Sequence, residues 1–252
     1  MDICFAALCS SPADPVAIFT APNQREQTVI RKLQTRSILK ARRRGHDPAL
    51  HCFNSEEIAM IRPATEKDVP EILEIYAPYV ENTTVTFEYD VPCRRSFLQR
   101  FYEITAQYPW LVWEEEGRIL GYAYAAAPYS RAAFAWCAEP SIYLREEAKR
   151  RGIGRKLYAV LEKILEIQGY QVLYALITAD NLDSIRFHEK AGYKTSVEFP
   201  DCGFKFGRWL SLVWMEKRIK IVQSPSAFPK PYSAVVQDAK TFSNILDSLS
   251  LS

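Results

Sequence analysis

Between Lys149 and Gly154 the chain reads KRRGIG: three cations, then two glycines one residue apart, with Arg155 following. The run opens a segment of helical periodicity. Cations in the first turn of a helix oppose its dipole, so four of them around two glycines predict a compensating anion. Gly152 and Gly154 carry no side chain, which lets backbone N–H groups approach that anion closely. Two phosphate-binding patterns fail on the residues. A Walker A loop needs GxxxxGK and then Ser or Thr, and none is present. A dinucleotide fingerprint needs a third glycine, but Arg155, Lys156 and Leu157 follow, and Tyr174 stands where an acidic residue belongs. Another phosphate carrier remains, beside the plain alternative of a basic helix start with glycines for flexibility.

The elements that must position this run lie between Met60 and Ile219. MIRPA predicts a short strand, and Thr65 with Asp68 a capping-box start. Val69, Ile72, Leu73, Tyr76 and Val80 keep helical spacing, so a helix runs from about Glu66 until Pro78 ends it. A second helix spans about Cys93 to Ala106. WLVWEE and RILGYAYAAA predict antiparallel strands joined at Glu116-Gly117. AFAWCAEPSIYL is a third strand containing Pro140, which has no N–H for a ladder, so the strand must bulge or splay there. Ile153, Leu157, Val160, Leu161, Ile164 and Leu165 mark an amphipathic helix. VLYALIT is a buried strand. ADNLDSIRFHEKAGY is a short helix capped by Asp180 or Asn181 and closed by Gly192. KTSVEF and GRWLSLVWMEK are the last strands. The order β-α-α-β-β-β-α-β-α-β-β predicts a mixed α/β sheet with helices over its faces.

The chain has 252 residues and a formal net charge of +2, which argues against a dedicated nucleic-acid binder. Residues 1–59 hold eight Lys+Arg and six Asp+Glu. This extension, and the Ser- and Pro-rich tail over 220–252, are expected to be loosely ordered or to form short surface helices. Ile30 to Leu39 has helical spacing, and Arg42-Arg43-Arg44 is expected to be a solvated segment. Cys4, Cys9, Cys52, Cys93, Cys137 and Cys202 show no CxxC spacing. They are expected to be reduced thiols in a cytoplasmic protein, with no disulfide framework and no metal site. His46, His51 and Cys52 are read as chance neighbours. No apolar run approaches a membrane-spanning length, and the start is a poor signal peptide.

SIYLREEAKRRGIGRKLYAVLEKIL resembles the coenzyme A loop of the GNAT acetyltransferases, Gln/Arg-x-x-Gly-x-Gly/Ala, with Lys149 where that pattern has Gln or Arg. NLDSIRFHEKAGY is similar to their second motif. Together with IRPATEKDVPEILEIYAPYVENTTVTFE, YPWLVWEEEGRILGYAYA, SRAAFAWCAEPSIYL and GFKFGRWLSLVWMEK, the stretch from about Met60 to Lys217 resembles the phosphinothricin and methionine sulfoximine N-acetyltransferases. The resemblance implies an α+β fold: a mixed, mostly antiparallel sheet with a central splayed strand and flanking helices. It also implies acetyl-CoA as co-substrate, a small amino acid or analogue as acceptor, and a homodimer.

Acetyl transfer to an amine needs a base, because a free α-amino group near neutral pH is largely protonated. Glu139, two residues before SIYL, aligns with the family's catalytic glutamate and is expected to act through direct attack and a tetrahedral intermediate. Burial beside Trp136 and Phe134 would raise its pKa. Backbone N–H groups near Ile142, Tyr143 and Leu144 are expected to serve the oxyanion and the pantetheine arm. The resemblance implies that Arg150, Arg151, Gly152, Ile153, Gly154 and Arg155 hold the pyrophosphate, and that Asn181 and Lys190 contact the cofactor. His188 stands where many members place a tyrosine that protonates the leaving thiolate. Arg131, flanked by Tyr129 and Ser130, is a carboxylate clamp candidate. Phe87, Pro140, Ser141 and Phe206 complete the expected substrate side, with Lys205 to Trp209 as a substrate-side loop. Phe206 replaces a histidine frequent in phosphinothricin-resistance members and fits the methionine sulfoximine branch better. Trp110, Trp113, Trp209 and Trp214 are read as core or dimer contacts. The alternatives are acetylation of a protein N-terminus or polyamine, and a non-catalytic acyl-CoA-binding module.

Overall fold

The computed structural model describes residues 60–221, 223 and 227–250. The readings made for residues 1–59, including Ile30 to Leu39, Arg42 to Arg44 and the His46, His51, Cys52 group, lie outside the described residues.

The elements are β1 (Met60–Pro63), α1 (Val69–Asn82), α2 (Arg94–Thr105), β2 (Trp110–Glu115), β3 (Arg118–Ala126), β4 (Cys137–Leu144), α3 (Ile153–Gln168), β5 (Val172–Thr178), α4 (Leu182–Lys190), β6 (Lys194–Lys205), β7 (Arg208–Arg218), α5 (Tyr232–Val235) and α6 (Ala239–Ser250). One mixed sheet has the order β1-β2-β3-β4-β5-β7-β6. Every neighbouring pair is antiparallel except β4 with β5. Two apolar clusters cover the sheet. One, with Ile72, Val80, Phe97 and Trp110, lies under α1 and α2. The other, with Leu157, Leu161, Ile164 and Met215, lies under α3 and the tail helices.

Two local readings need correction, and a third is decided between its two candidates. Glu66–Asp68 is a 3-10 turn, and α1 runs through Pro78 to Asn82. Proline removes one helical hydrogen bond, but Val80 beyond it is 0% exposed, and that burial holds the last turn. The third strand begins at Cys137, because Ala132–Phe134 forms a 3-10 turn instead. The cap of α4 is Asn181, whose Oδ1 accepts the Ser184 N–H at 3.2 Å. Asp180 accepts the Thr84 hydroxyl and pairs with Arg208.

The turns follow their residues. Glu116 and Gly117 have φ of 51° and 78°, the double left-handed geometry of a tight hairpin. Phe206 and Gly207 repeat it at 50° and 73°, so the expected substrate-side loop is the tip of the β6–β7 hairpin.

Candidate active site

The parallel pairing of β4 with β5 consists of Cys137 with Val172 and Ala138 with Leu173. It stops two residues before Pro140. The register on the other side of β4 explains why. Pro140, Ile142 and Leu144 stand opposite Ala125, Ala123 and Gly121. The Leu144 N–H and C=O both bond to the Tyr79 hydroxyl, away from β3. Backbone directions alternate along a strand, so Ile142 and Pro140 present their backbone to the β5 side as well. Pro140 has no N–H to give there, and its carbonyl lies 3.3 Å from the Tyr158 hydroxyl oxygen, whose hydrogen goes to the nearer His188. Pairing ends, the strands diverge, and the Ile142 N–H is left aimed into the gap. Tyr143, one residue out of phase, spends its N–H on β3.

The gap is a cleft. Glu139, Pro140, Ser141, Ile142 and Tyr143 line one wall, and Ala175, Leu176 and Ile177 the other. Val85, Asn181, Ser184 and His188 close it. Burial raises the Glu139 carboxyl from its ordinary 4.5 to about 7. Its charge is felt by Tyr124, Tyr129, Tyr143 and Tyr158. The two rings expected to bury it are engaged elsewhere: Trp136 stacks on Phe228 and Phe134 packs on Tyr129.

His188 is 4% exposed. Its Nδ1 lies 2.8 Å from the Ser184 carbonyl, and its Nε2 lies 2.8 Å from the Tyr158 hydroxyl. The carbonyl only accepts, so Nδ1 carries the hydrogen and Nε2 receives the Tyr158 hydroxyl. Burial lowers the imidazole pKa, which keeps it neutral.

Against Ile142 and Leu144 of β4 stands the N-terminus of α3. The first bond within it runs from the Lys156 N–H to the Gly152 carbonyl, so the N–H groups of Ile153, Gly154 and Arg155 have no acceptor inside the helix. Gly152 has φ 82° and open space at its missing Cβ, whereas a Cβ on Gly154 would lie 3.3 Å from Ile142 and 3.5 Å from Leu144. The two glycines therefore do different things. Gly152 supplies the left-handed turn, and Gly154 lets the helix press on β4. Lys149 pairs with Glu146 at 2.6 Å and Arg151 with Glu115 at 2.8 Å. Arg150 and Arg155 make no ion pair among the described residues. Two unpaired guanidinium groups and a row of free N–H donors fit a pyrophosphate.

The other expected contacts are dispersed. Lys190 is exposed at the far end of α4 from Asn181. The Phe87 ring packs on Gly203, where a Cβ would come within 2.3 Å of it. Tyr129 lies against Phe134 and Trp214. Ser130 and Arg131 are exposed, and Phe206 is 55% exposed at the hairpin tip. Trp110 and Trp113 are core, whereas Trp209 is 62% exposed.

Several site residues carry no signal in the sequence. Val85 sits in the loop after α1, and that loop is fastened from three sides. The Lys205 ammonium, 3% exposed, donates to the carbonyls of Val80, Thr83 and Thr86 at 2.8, 2.9 and 2.8 Å. The Thr178 hydroxyl donates to the Thr84 carbonyl, and the Tyr89 hydroxyl to that of Phe204. Tyr79 and Tyr158 read as helix-face aromatics, and only the tertiary fold turns their hydroxyls onto β4.

A sheet split between its parallel strands, with a helix N-terminus packed against the departing strand and a carboxyl in the gap, is a frame suited to acyl transfer from a phosphate-bearing donor. Residues 61–214 match the family model described as an acetyltransferase (GNAT) domain. The chain belongs to that family and is an acetyltransferase. It is 32% identical over 177 residues to a phosphinothricin N-acetyltransferase of Streptomyces viridochromogenes, covering 70% of this chain and 94% of that one. It is 34% identical to an L-methionine sulfoximine/L-methionine sulfone acetyltransferase of Pseudomonas paraeruginosa, covering 66% and 98%. Among solved structures, a phosphinothricin acetyltransferase from Sinorhizobium meliloti in complex with AcCoA superposes with a TM-score of 0.63 at 33% identity, covering 68% of this chain and 93% of that one. The family match ends before the tail.

Proposed function

We propose that residues 60–219 form a domain that moves acetyl from acetyl-CoA to the α-amino group of a small amino acid or analogue of the phosphinothricin, methionine sulfoximine or methionine sulfone type. The observation that carries this reading is Glu139, a carboxyl raised to about 7 by burial at the point where β4 leaves β5. A base of that strength accepts a proton from an ammonium near neutral pH and leaves a nucleophilic amine.

Acetyl-CoA supplies the thioester. Arg150, Arg155 and the N–H groups of Ile153 to Arg155 would hold its pyrophosphate. The Ile142 N–H faces the cleft and would stabilise the oxyanion of the tetrahedral intermediate. The Asn181 amide nitrogen stays available to the donor while its oxygen caps α4. Collapse of the intermediate breaks the C–S bond, and the thiolate takes a proton. His188 receives a hydrogen bond on Nε2, so Tyr158 is the hydroxyl that carries a proton beside it. Arg131 is unpaired among the described residues and would meet the acceptor's carboxylate.

The exposed Phe204, Phe206 and Trp209 at the β6–β7 tip support a homodimer. A cytoplasmic setting is supported by Cys93, Cys137 and Cys202, which are free thiols. Among the described residues no helix is long and apolar enough to cross a membrane.

The test is release of free CoA thiol across amino acids and their sulfone, sulfoximine and phosphinate analogues. Turnover with at least one free α-amino acid or analogue is expected. Turnover confined to polyamines or peptide N-termini would replace the acceptor class. No release with any amine would leave an acyl-CoA-binding module.

A further inference from the structure

Beyond the family match, the chain returns to the sheet at Trp136, the residue before β4. The Trp136 indole N–H donates to the Ala227 carbonyl at 3.1 Å. Its ring stacks on Phe228 with centroids 5.0 Å apart and planes 16° apart. Its own carbonyl accepts the N–H groups of Gln171 and Val172 at 2.9 and 3.3 Å. Trp136 is therefore pinned on one side by the tail and on the other by the start of β5. The next two residues make the entire β4–β5 pairing, and the residue after them is Glu139.

The tail is itself fastened. The Lys230 N–H donates to the Gln168 carbonyl at 2.8 Å, at the C-terminal end of α3. The Gln168 side-chain amide, 2% exposed, donates to the carbonyls of Gln107 and Lys230, both at 2.8 Å. The Tyr232 N–H donates to the Gln107 carbonyl at 3.0 Å. Farther on, Phe242 and Ile245 of α6 are each 6% exposed in the core under α3.

We infer that the segment Ala227–Tyr232 is a strap that positions the catalytic strand, acting through the Phe228–Trp136 stack on the two-pair joint from which β4 and β5 diverge. Resting on the acetyl-transfer reading, this makes Phe228 and Trp136 positioning residues. β4 is held to β3 by six residue pairs, Glu139 with Ala126 among them, but to β5 by only two, so the angle between the two halves of the sheet is the less restrained. A small rotation at Trp136 shifts Glu139 relative to the β5 wall of the cleft, and displacements of about 1 Å cost up to ~100-fold in rate. The strap is the external brace that fixes the angle.

The test compares Phe228→Ala, Phe228→Trp and Phe242→Ala in the full chain. Phe228→Ala is expected to lower kcat about tenfold while the KM for acetyl-CoA stays within about twofold, and Phe228→Trp to restore kcat. Phe242→Ala is expected to lower thermal stability at least as much and leave kcat unchanged. Equal kinetic effects of the two alanine variants, or a Phe228→Ala variant that loses only stability, would overturn the proposal. If Phe228→Ala does not fold, Phe228→Leu takes its place, since it keeps an apolar side chain and removes the stack, and the same loss of kcat is expected. Hydrogen exchange at residues 137–142 separates this proposal from the acetyl-transfer reading. If the unmodified chain acetylates nothing, faster exchange there in Phe228→Ala but not in Phe242→Ala still supports the strap, and unchanged exchange refutes it.

Discussion

As the proposed base, Glu139 meets two opposed demands. Burial brings its pKa near neutrality, and the same burial costs the fold. Its folded pKa of about 7 lies above the ordinary 4.5, so the folded chain binds more protons between those values. Stability from this group is greatest below about 4.5 and falls as pH rises through about 7, by on the order of 1–3 kcal/mol. Activity moves the opposite way, because only the carboxylate accepts a proton. The kcat/KM for the amine is expected to rise with pH to a plateau above about 7. Glu139→Gln should reduce kcat by roughly 100- to 10,000-fold, leave acetyl-CoA binding intact and raise the melting temperature at pH 8. Steady-state kinetics, calorimetric titration and thermal unfolding at two pH values check the three effects. A variant with unchanged turnover would remove Glu139 from the mechanism. The position of Glu139 beside Pro140 was readable in one dimension. Its tyrosine surround was not, because Tyr124, Tyr129, Tyr143 and Tyr158 come from four separate stretches.

At the scale of the element, strand parity and helix ends decide the roles. Ile142 and Tyr143 are adjacent in sequence, yet one N–H faces the cleft and the other closes the ladder to β3. The KRRGIG run points to an anion because cations at a helix start need a partner. Which of its cations are already paired was not legible, since the carboxylates that take Lys149 and Arg151 are Glu146 and the distant Glu115. Arg150→Ala and Arg155→Ala should each raise the KM for acetyl-CoA about five- to tenfold, and Arg151→Ala should raise it less, as an already paired cation gives up less. The same contacts should weaken with salt. Gly152→Ala forces a side chain into a left-handed conformation, costing about 1–2 kcal/mol, and is expected to loosen acetyl-CoA binding and lower stability by denaturant titration. Pro78 is the opposite lesson: a local breaker yields when the turn beyond it is fully buried.

The order of strands and helices was legible across the whole domain because hydrophobic period changes sharply between strand and helix. The tail was legible only as short surface helices. Its amphipathic pattern does not name the surface it covers. A signal was present in α3 itself, whose buried set of Leu157, Tyr158, Val160, Leu161, Ile164, Leu165 and Gln168 is too wide for one contact face. That helix lies between the sheet and the tail helices. Phe242→Ala should therefore cost about 3–5 kcal/mol in chemical denaturation, the range for a large side chain removed from a core. A loss under about 1 kcal/mol would mean that α6 is a loose cover.

The loop after α1 has a kinetic consequence. Lys205 ties two of its carbonyls to one in the last turn of α1, Phe87 packs on Gly203, and Thr178 and Tyr89 hold its remaining sides. Val85 is thus set at the cleft before any ligand arrives. The entropy of ordering that wall is lost once, during folding, and is not charged again at each encounter. Capture of the donor is then a single bimolecular step, with observed rates linear in acetyl-CoA concentration and no saturating isomerisation behind them.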